Sequence, residues 1–191
     1  MENSRKILLS DGAGLGMRAA GVLALMFVGA LRRLQDECFL ERGDISACVE
    51  GVCSEIALHG VIVESGVQRF ETFFDAFMED FDSDGASHLE QALADIIIAI
   101  NELLDMSNGQ ASLDFISECF DDWVFWWIEG DLDQREEVLD VEGDARLVWY
   151  RSKVSRVVEG FCSAVIGEAD VSQYIKEARD VGREISFWVV D

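Results

Sequence analysis

The 191-residue sequence predicts an all-α fold, a single compact domain of seven to eight helices joined by short turns. Three observations carry that prediction. Proline is absent, glycines are scattered rather than gathered into linkers, and apolar residues recur at helical spacing along most of the chain. Period-two alternation is scarce; Val61-Ile62-Val63 is the one tempting strand, and it is too short to build a sheet. No internal repeat or low-complexity linker divides residues 1–191, so they are read as one domain.

The elements follow in order. A first, unusually apolar helix is expected over 16–36, ending in Arg32, Arg33 and an acidic turn. Its run Ala19–Leu31 is 13 residues long, too short to span a bilayer. Arg18 ahead of the run and Val28-Gly29-Ala30 behind it imitate a signal peptide. We read the run as a buried core helix. Asp44 is positioned to cap a second helix to His59, with Ile45, Val49, Val52, Cys53 and Ile56 on one face. Ser65 is positioned to cap a third, Gly66 to Glu79, carrying Phe70, Phe73, Phe74 and Phe77. Ser87-x-x-Glu90 forms a capping box opening a fourth helix to Met106. Its Leu89, Leu93, Ile96, Ile100, Leu103 and Leu104 make a wide apolar face that suggests a central position, and Asn108-Gly109 ends it. Ser112 begins a fifth helix through Ile128, closed by Gly130, and a short acidic helix follows near Gln134–Asp140. Asp144 caps a long helix to Ile166, and Asp170 caps a last one to Val189.

Charge narrows the function classes. The chain has 38 Asp+Glu against 15 Lys+Arg, a net charge of −23, yet half its residues are hydrophobic. An acidic disordered tail would lack that apolar content. Nucleic-acid binding is disfavoured because phosphate neutralisation needs clustered Lys and Arg. The excess is also localised. Residues 1–60 carry −2, residues 61–145 carry −21 with Arg69 and Arg135 as their only bases, and residues 146–191 sum to zero. A field confined to one segment attracts basic surfaces and speeds their association.

Five cysteines (Cys38, Cys48, Cys53, Cys119, Cys162) form no C-x-x-C pair, which suits a reducing cytoplasm and argues against a disulfide framework or structural zinc. Asp80-Phe-Asp82-Ser-Asp84-Gly85 matches the first half of an EF-hand loop, but the position of the bidentate glutamate is Gln91. Asp80, Asp82 and Asp84 are therefore poor metal candidates, and no cofactor is expected. Catalytic signals are thin. His59 and His88 fit no metal-ligand spacing, and Gly12-Ala-Gly14-Leu-Gly16 fits neither the phosphate-loop nor the dinucleotide pattern. No G-x-S-x-G occurs.

The fifth helix carries the candidate binding site. At about 100° per residue, Leu113, Ile116, Phe120, Trp123, Val124 and Trp127 share the core face. Trp126 falls at the edge of that face, and Phe125 falls opposite it among carboxylates. An aromatic outside the core stripe and ringed by acids is the composition of a protein-binding hot spot. Phe125 and Trp126 are thus the expected anchors, with Asp121, Asp122, Glu129, Asp131 and Asp133 as the charged rim.

Three stretches carry a resemblance. Leu34-Gln-Asp-Glu-Cys-Phe39 precedes Gly43-Asp44 and the helix through Glu55; Asp80-Phe-Asp82 precedes Gly85; and Leu93-Ala-Asp95-Ile-Ile-Ile-Ala99-Ile100-Asn-Glu102-Leu103-Leu104 forms one helix. Their order resembles the YjaG-like family of bacterial domains of unknown function. The chain departs from it by extra residues after Gly85 and by lacking Tyr and Pro there. The resemblance implies an all-α fold and a bacterial source, and brings no catalytic residues. In general character, acidic and Trp-rich without disulfides, the chain also resembles bacterial immunity proteins, which neutralise toxins by covering their active sites. The expectation is a cytoplasmic, non-enzymatic binding protein whose partner is a basic protein, a cognate toxin domain, with no nucleic acid or membrane partner. Two alternatives stay open: a Ca²⁺-responsive module at Asp80–Asp84, and a cryptic carboxylate-rich all-α enzyme.

Overall fold

A helix segment that is apolar on every side must be enclosed, as residues 19–31 of the first helix, α1 (Glu2–Glu37), are. The computed structural model describes residues 2–37, 45–60, 64–81, 85, 88–106, 109–135 and 140–188, and among them every regular element is helical. The remaining six helices are α2 (Ile45–His59), α3 (Glu64–Asp80), α4 (His88–Asp105), α5 (Gly109–Gln134), α6 (Ala145–Ile166) and α7 (Ser172–Ile185). Five of them, α2, α4, α5, α6 and α7, pack directly on α1. Residues 19–28 of α1 are all buried as a result. The central position expected for α4 belongs to α1, because α4 keeps an exposed acidic side at Asp95, Glu102 and Asp105. α3 packs on α2 and α4, with Phe70 and Phe77 turned into the core.

Glycines let two helices approach α1 at backbone distance. A β-carbon added at Gly29 would lie 2.6 Å from the Gly182 carbonyl carbon of α7, and one at Gly182 only 1.8 Å from the Met26 oxygen. No side chain fits on either side of that crossing. At the end of α2, Gly60 takes the left-handed conformation (φ 66°) and donates its N–H to the Ile56 oxygen at 2.8 Å. Polar ties complete the wrapping of α1: Arg18 Nε donates to the Ala57 oxygen at 3.0 Å, and Arg33 donates to the Ser186 carbonyl.

Several helix bounds differ from the sequence expectations. α1 begins at Glu2 rather than near 16: three glycines cost a helix about 1 kcal/mol each, but only proline would break it outright. The stretch Gly14–Arg33 is thereby long and apolar enough to cross a membrane, longer than the run Ala19–Leu31 suggested, and its apolar window is 78% buried in the fold. α3 begins at Glu64, which puts Ser65 inside the helix, and α5 begins at Gly109, which puts Ser112 inside and buried. α5 also runs through Gly130 to Gln134, because Leu132 buries its side chain and Asp131 gains two arginine partners. α7 stops at Ile185. The expected caps and breaks at Asp44, Ser87 and Asn108, the stretch 61–63, and residues 136–139 of the acidic helix lie outside the described residues.

Asp144 caps α6 as expected, accepting the Arg146 N–H at 2.7 Å. Asp170 accepts the Ser172 N–H at 2.9 Å at the start of α7. α6 ends in a Schellman motif: Ala169 N–H donates to Ala164 O (2.8 Å) and Glu168 N–H to Val165 O (3.2 Å). Glu168 holds the left-handed position there, with φ 53°.

Candidate functional site

α5 contacts α1, α4 and α6, so its buried arc is wider than a stripe facing one neighbour. Ile116, Phe120, Trp123, Val124, Ile128 and Leu132 are buried along it. Trp123 lies amid rings, its centroid 5.2 Å from Phe27 and 3.5 Å from Trp127. The wide arc decides the fate of the two expected anchors. Phe125 is half-buried and packs against the core, so it does not stand outside it. Trp126, placed at the edge by periodicity, is 66% exposed.

The expected acidic rim is divided between two flanks of α5. On the α6 flank, Asp121 receives Arg151 Nε at 2.9 Å and Nη2 at 2.6 Å, and the same arginine reaches Glu142 at 2.5 Å. Its hydrogen bonds to these two carboxylates hold the Arg151 guanidinium more firmly protonated than usual. Asp131 is only 5% exposed and is bound by Arg146 Nη1 at 2.5 Å and Arg135 Nε at 2.9 Å. Arg146 also bonds the Asp144 carboxylate, whose pKa is lowered chiefly by those side-chain hydrogen bonds. Asp121 and Asp131 therefore have internal cations, and Asp131 is removed from any accessible rim.

Among the described residues the opposite flank has no such cations. Asp122, Trp126, Glu129 and Asp133 are spaced by four, three and four residues, which lines them up as one ridge of α5. Asp122 and Asp133 are exposed and Glu129 is half-buried, with no Lys or Arg in salt-bridge range of any of them among the described residues. Neither α4 nor α5 contains a Lys or Arg. Across the groove, α4 supplies a matching ridge: Gln91 and Asp95, joined by a 2.9 Å hydrogen bond, then Glu102.

Between the ridges lie two open recesses. One, about 340 Å³, is lined by Asp95, Ala99, Glu102, Cys119, Asp122 and Trp126 among others. The second, about 550 Å³, continues past Gln91, Ala92, Trp127, Glu129 and Asp133. Asp95, Trp123 and Trp126 line both, so the two form one groove. Cys119 reports its electrostatics. Burial pushes that thiol up, and the carboxylates Glu102, Asp122 and Glu118 push it the same way. The floor has one further feature. Trp123 is 7% exposed, and its buried indole Nε1–H has no hydrogen-bond acceptor among the described residues.

The sequence expectations omitted α4 from the site. The signal for it was present as Asp95 and Glu102, which interrupt the apolar run of α4 seven residues apart and so fall on one face. Asp82 and Asp84 lie outside the described residues, as does the side chain of Asp80; among the described residues no group of three or more His, Cys, Asp or Glu side chains is placed to hold a metal. Cys48, Cys53, Cys119 and Cys162 are free thiols. In comparisons with known proteins the chain matches no family model, no curated protein and no solved structure.

Proposed function

We propose that the chain is a non-enzymatic binding protein that docks a basic protein partner over the α4–α5 groove. In its specific form the proposal is an immunity protein, working in the cytoplasm, that covers the basic active-site cleft of a cognate toxin. One observation carries it: a 66% exposed tryptophan sits in a ridge of carboxylates with no Lys or Arg in salt-bridge range among the described residues, in a groove between two helices that contain no Lys or Arg. A tryptophan at the centre of an interface with charge around it is the usual composition of a hot spot and its rim. The uncompensated charges supply long-range attraction that accelerates encounter with a basic surface.

The test begins with the basic protein that co-purifies from the native host, followed by its association rate against salt concentration. Asp122→Lys/Glu129→Lys/Asp133→Lys should slow association about tenfold or more at low salt and flatten the salt dependence. An unchanged rate would remove the groove from the account.

A further inference from the structure

We propose that two copies of the chain associate along the seam between α6 and α7, about a two-fold axis parallel to the two helices. The contact uses no residue of the α4–α5 groove, so it stands apart from the docking reading above.

The first argument is where charge permits self-association. Two chains of net charge −23 repel each other, but at about 0.15 M salt that repulsion is screened beyond about 8 Å. Local charge then decides which faces can meet. α3, α4 and α5 together carry sixteen acids and one base, so those faces repel their own copies. α6 carries four bases and one acid, and α7 carries three of each. The two helices run antiparallel: Trp149 packs on Trp188 with ring centroids 5.4 Å apart, Arg156 pairs with Glu177 at 3.0 Å, and Gly160 lies against Tyr174. One turn in from the tryptophan pair, Lys153 of α6 and Glu184 of α7 come level. Lys153 lies over the Trp149 ring at 5.5 Å, Glu184 is exposed, and neither has an ionic partner among the described residues. With bases on the α6 side and acids on the α7 side, the seam is complementary to itself. A two-fold axis along it sets Lys153 of each copy opposite Glu184 of the other, and Arg156 of each opposite Glu177 of the other.

The second argument is the aromatic surface at the end of the same seam. Phe187 is 71% exposed, and the adjoining Trp188 and its partner Trp149 are only half-buried. Three rings left partly in water on one face are apolar area that association can remove from solvent. A two-fold contact presents the same patch from both copies, so the rings of one meet those of the other. The contact is small, which places it in the weak, transient class of interface.

The experiment is sedimentation equilibrium of the full chain at about 0.15 M salt, where long-range repulsion is screened, up to millimolar concentration. The mean mass should rise from one chain to two as concentration increases. Lys153→Glu alone, or Glu184→Lys alone, sets like charges opposite each other twice in the dimer, and each should weaken it about tenfold or more. Mixed in equal amounts, the two variants should associate about as tightly as the parent, because each then supplies the charge the other lacks. Phe187→Ser should weaken the dimer to a similar degree without lowering the melting temperature, and Trp126→Ala should leave it unchanged. A chain that stays single up to millimolar concentration overturns the proposal. So does a dimer that both single-charge variants retain, or a pair of variants that stay apart when mixed. A dimer lost in Trp126→Ala and kept in Phe187→Ser also overturns it, since the contact then lies on another face.

Discussion

Asp121 and Asp122 are adjacent in sequence, and the two flanks of α5 treat them differently. Asp121 turns toward α6 and meets Arg151; Asp122 turns toward α4 and meets no cation in salt-bridge range among the described residues. The same division separates Asp131, held by Arg146 and Arg135, from Asp133 two residues later. α6 brings arginines against α5, whereas α4 brings more carboxylates. An acidic helix between such neighbours has one flank whose charge is used up in holding the fold and one whose charge is directed outward. The total charge of the chain conceals this; the location of the arginines reveals it.

Disrupting the paired flank should cost the most. Arg146→Met leaves buried Asp131 with Arg135 alone, and should lower the unfolding free energy by about 3 kcal/mol in urea titration. Asp122→Asn or Asp133→Asn should stay within about 0.5 kcal/mol of the parent. Similar losses on both flanks would mean the division has no energetic content. On the outward flank, Trp126→Ala should cost about 2 kcal/mol of partner affinity, about thirtyfold, with little change in melting temperature.

Acid should loosen the paired flank. The Asp144 carboxyl is held below its ordinary range by Arg146. Its contribution to stability is therefore complete above its unfolded-state pKa, about 4, and is lost as pH falls through the lower folded-state value. Asp144→Asn should flatten that acid limb in pH-dependent unfolding. The smallest effect is a control on neither flank. Glu168→Gly removes a β-carbon from a left-handed position and one negative charge, so it should stabilise by about 0.5 kcal/mol. Association with the partner should be unaltered, because position rather than total charge governs it.

The helical class was legible in local signals: no proline, capping residues such as Asp144, and apolar spacing that identified Ile116, Phe120, Trp123 and Val124 as core. Helix ends were less so. Gly130 reads as a stop, yet Leu132 and Asp131 make tertiary interactions that carry α5 past it. The site was legible only in part. Periodicity orders residues around one helix but does not say how many neighbours that helix has. Phe125 was placed outside a core that a second neighbour widened to include it, and Trp126 was left as the exposed ring. The fates of Asp121 and Asp131 depend on Arg151 and Arg146, 30 and 15 residues away in sequence. No pattern within α5 encodes those pairings. The unmatched Trp123 donor is likewise a property of packing alone.

The most direct measurement is oxidative footprinting of the chain free and bound to its captured partner, read at single tryptophans and at the exposed side chains of α6. Trp126 should be reactive in the free chain and strongly protected in the complex, while exposed Val148 on α6 reacts equally in both. Protection of Val148 with Trp126 still reactive would contradict it and move the interface to another face of the molecule.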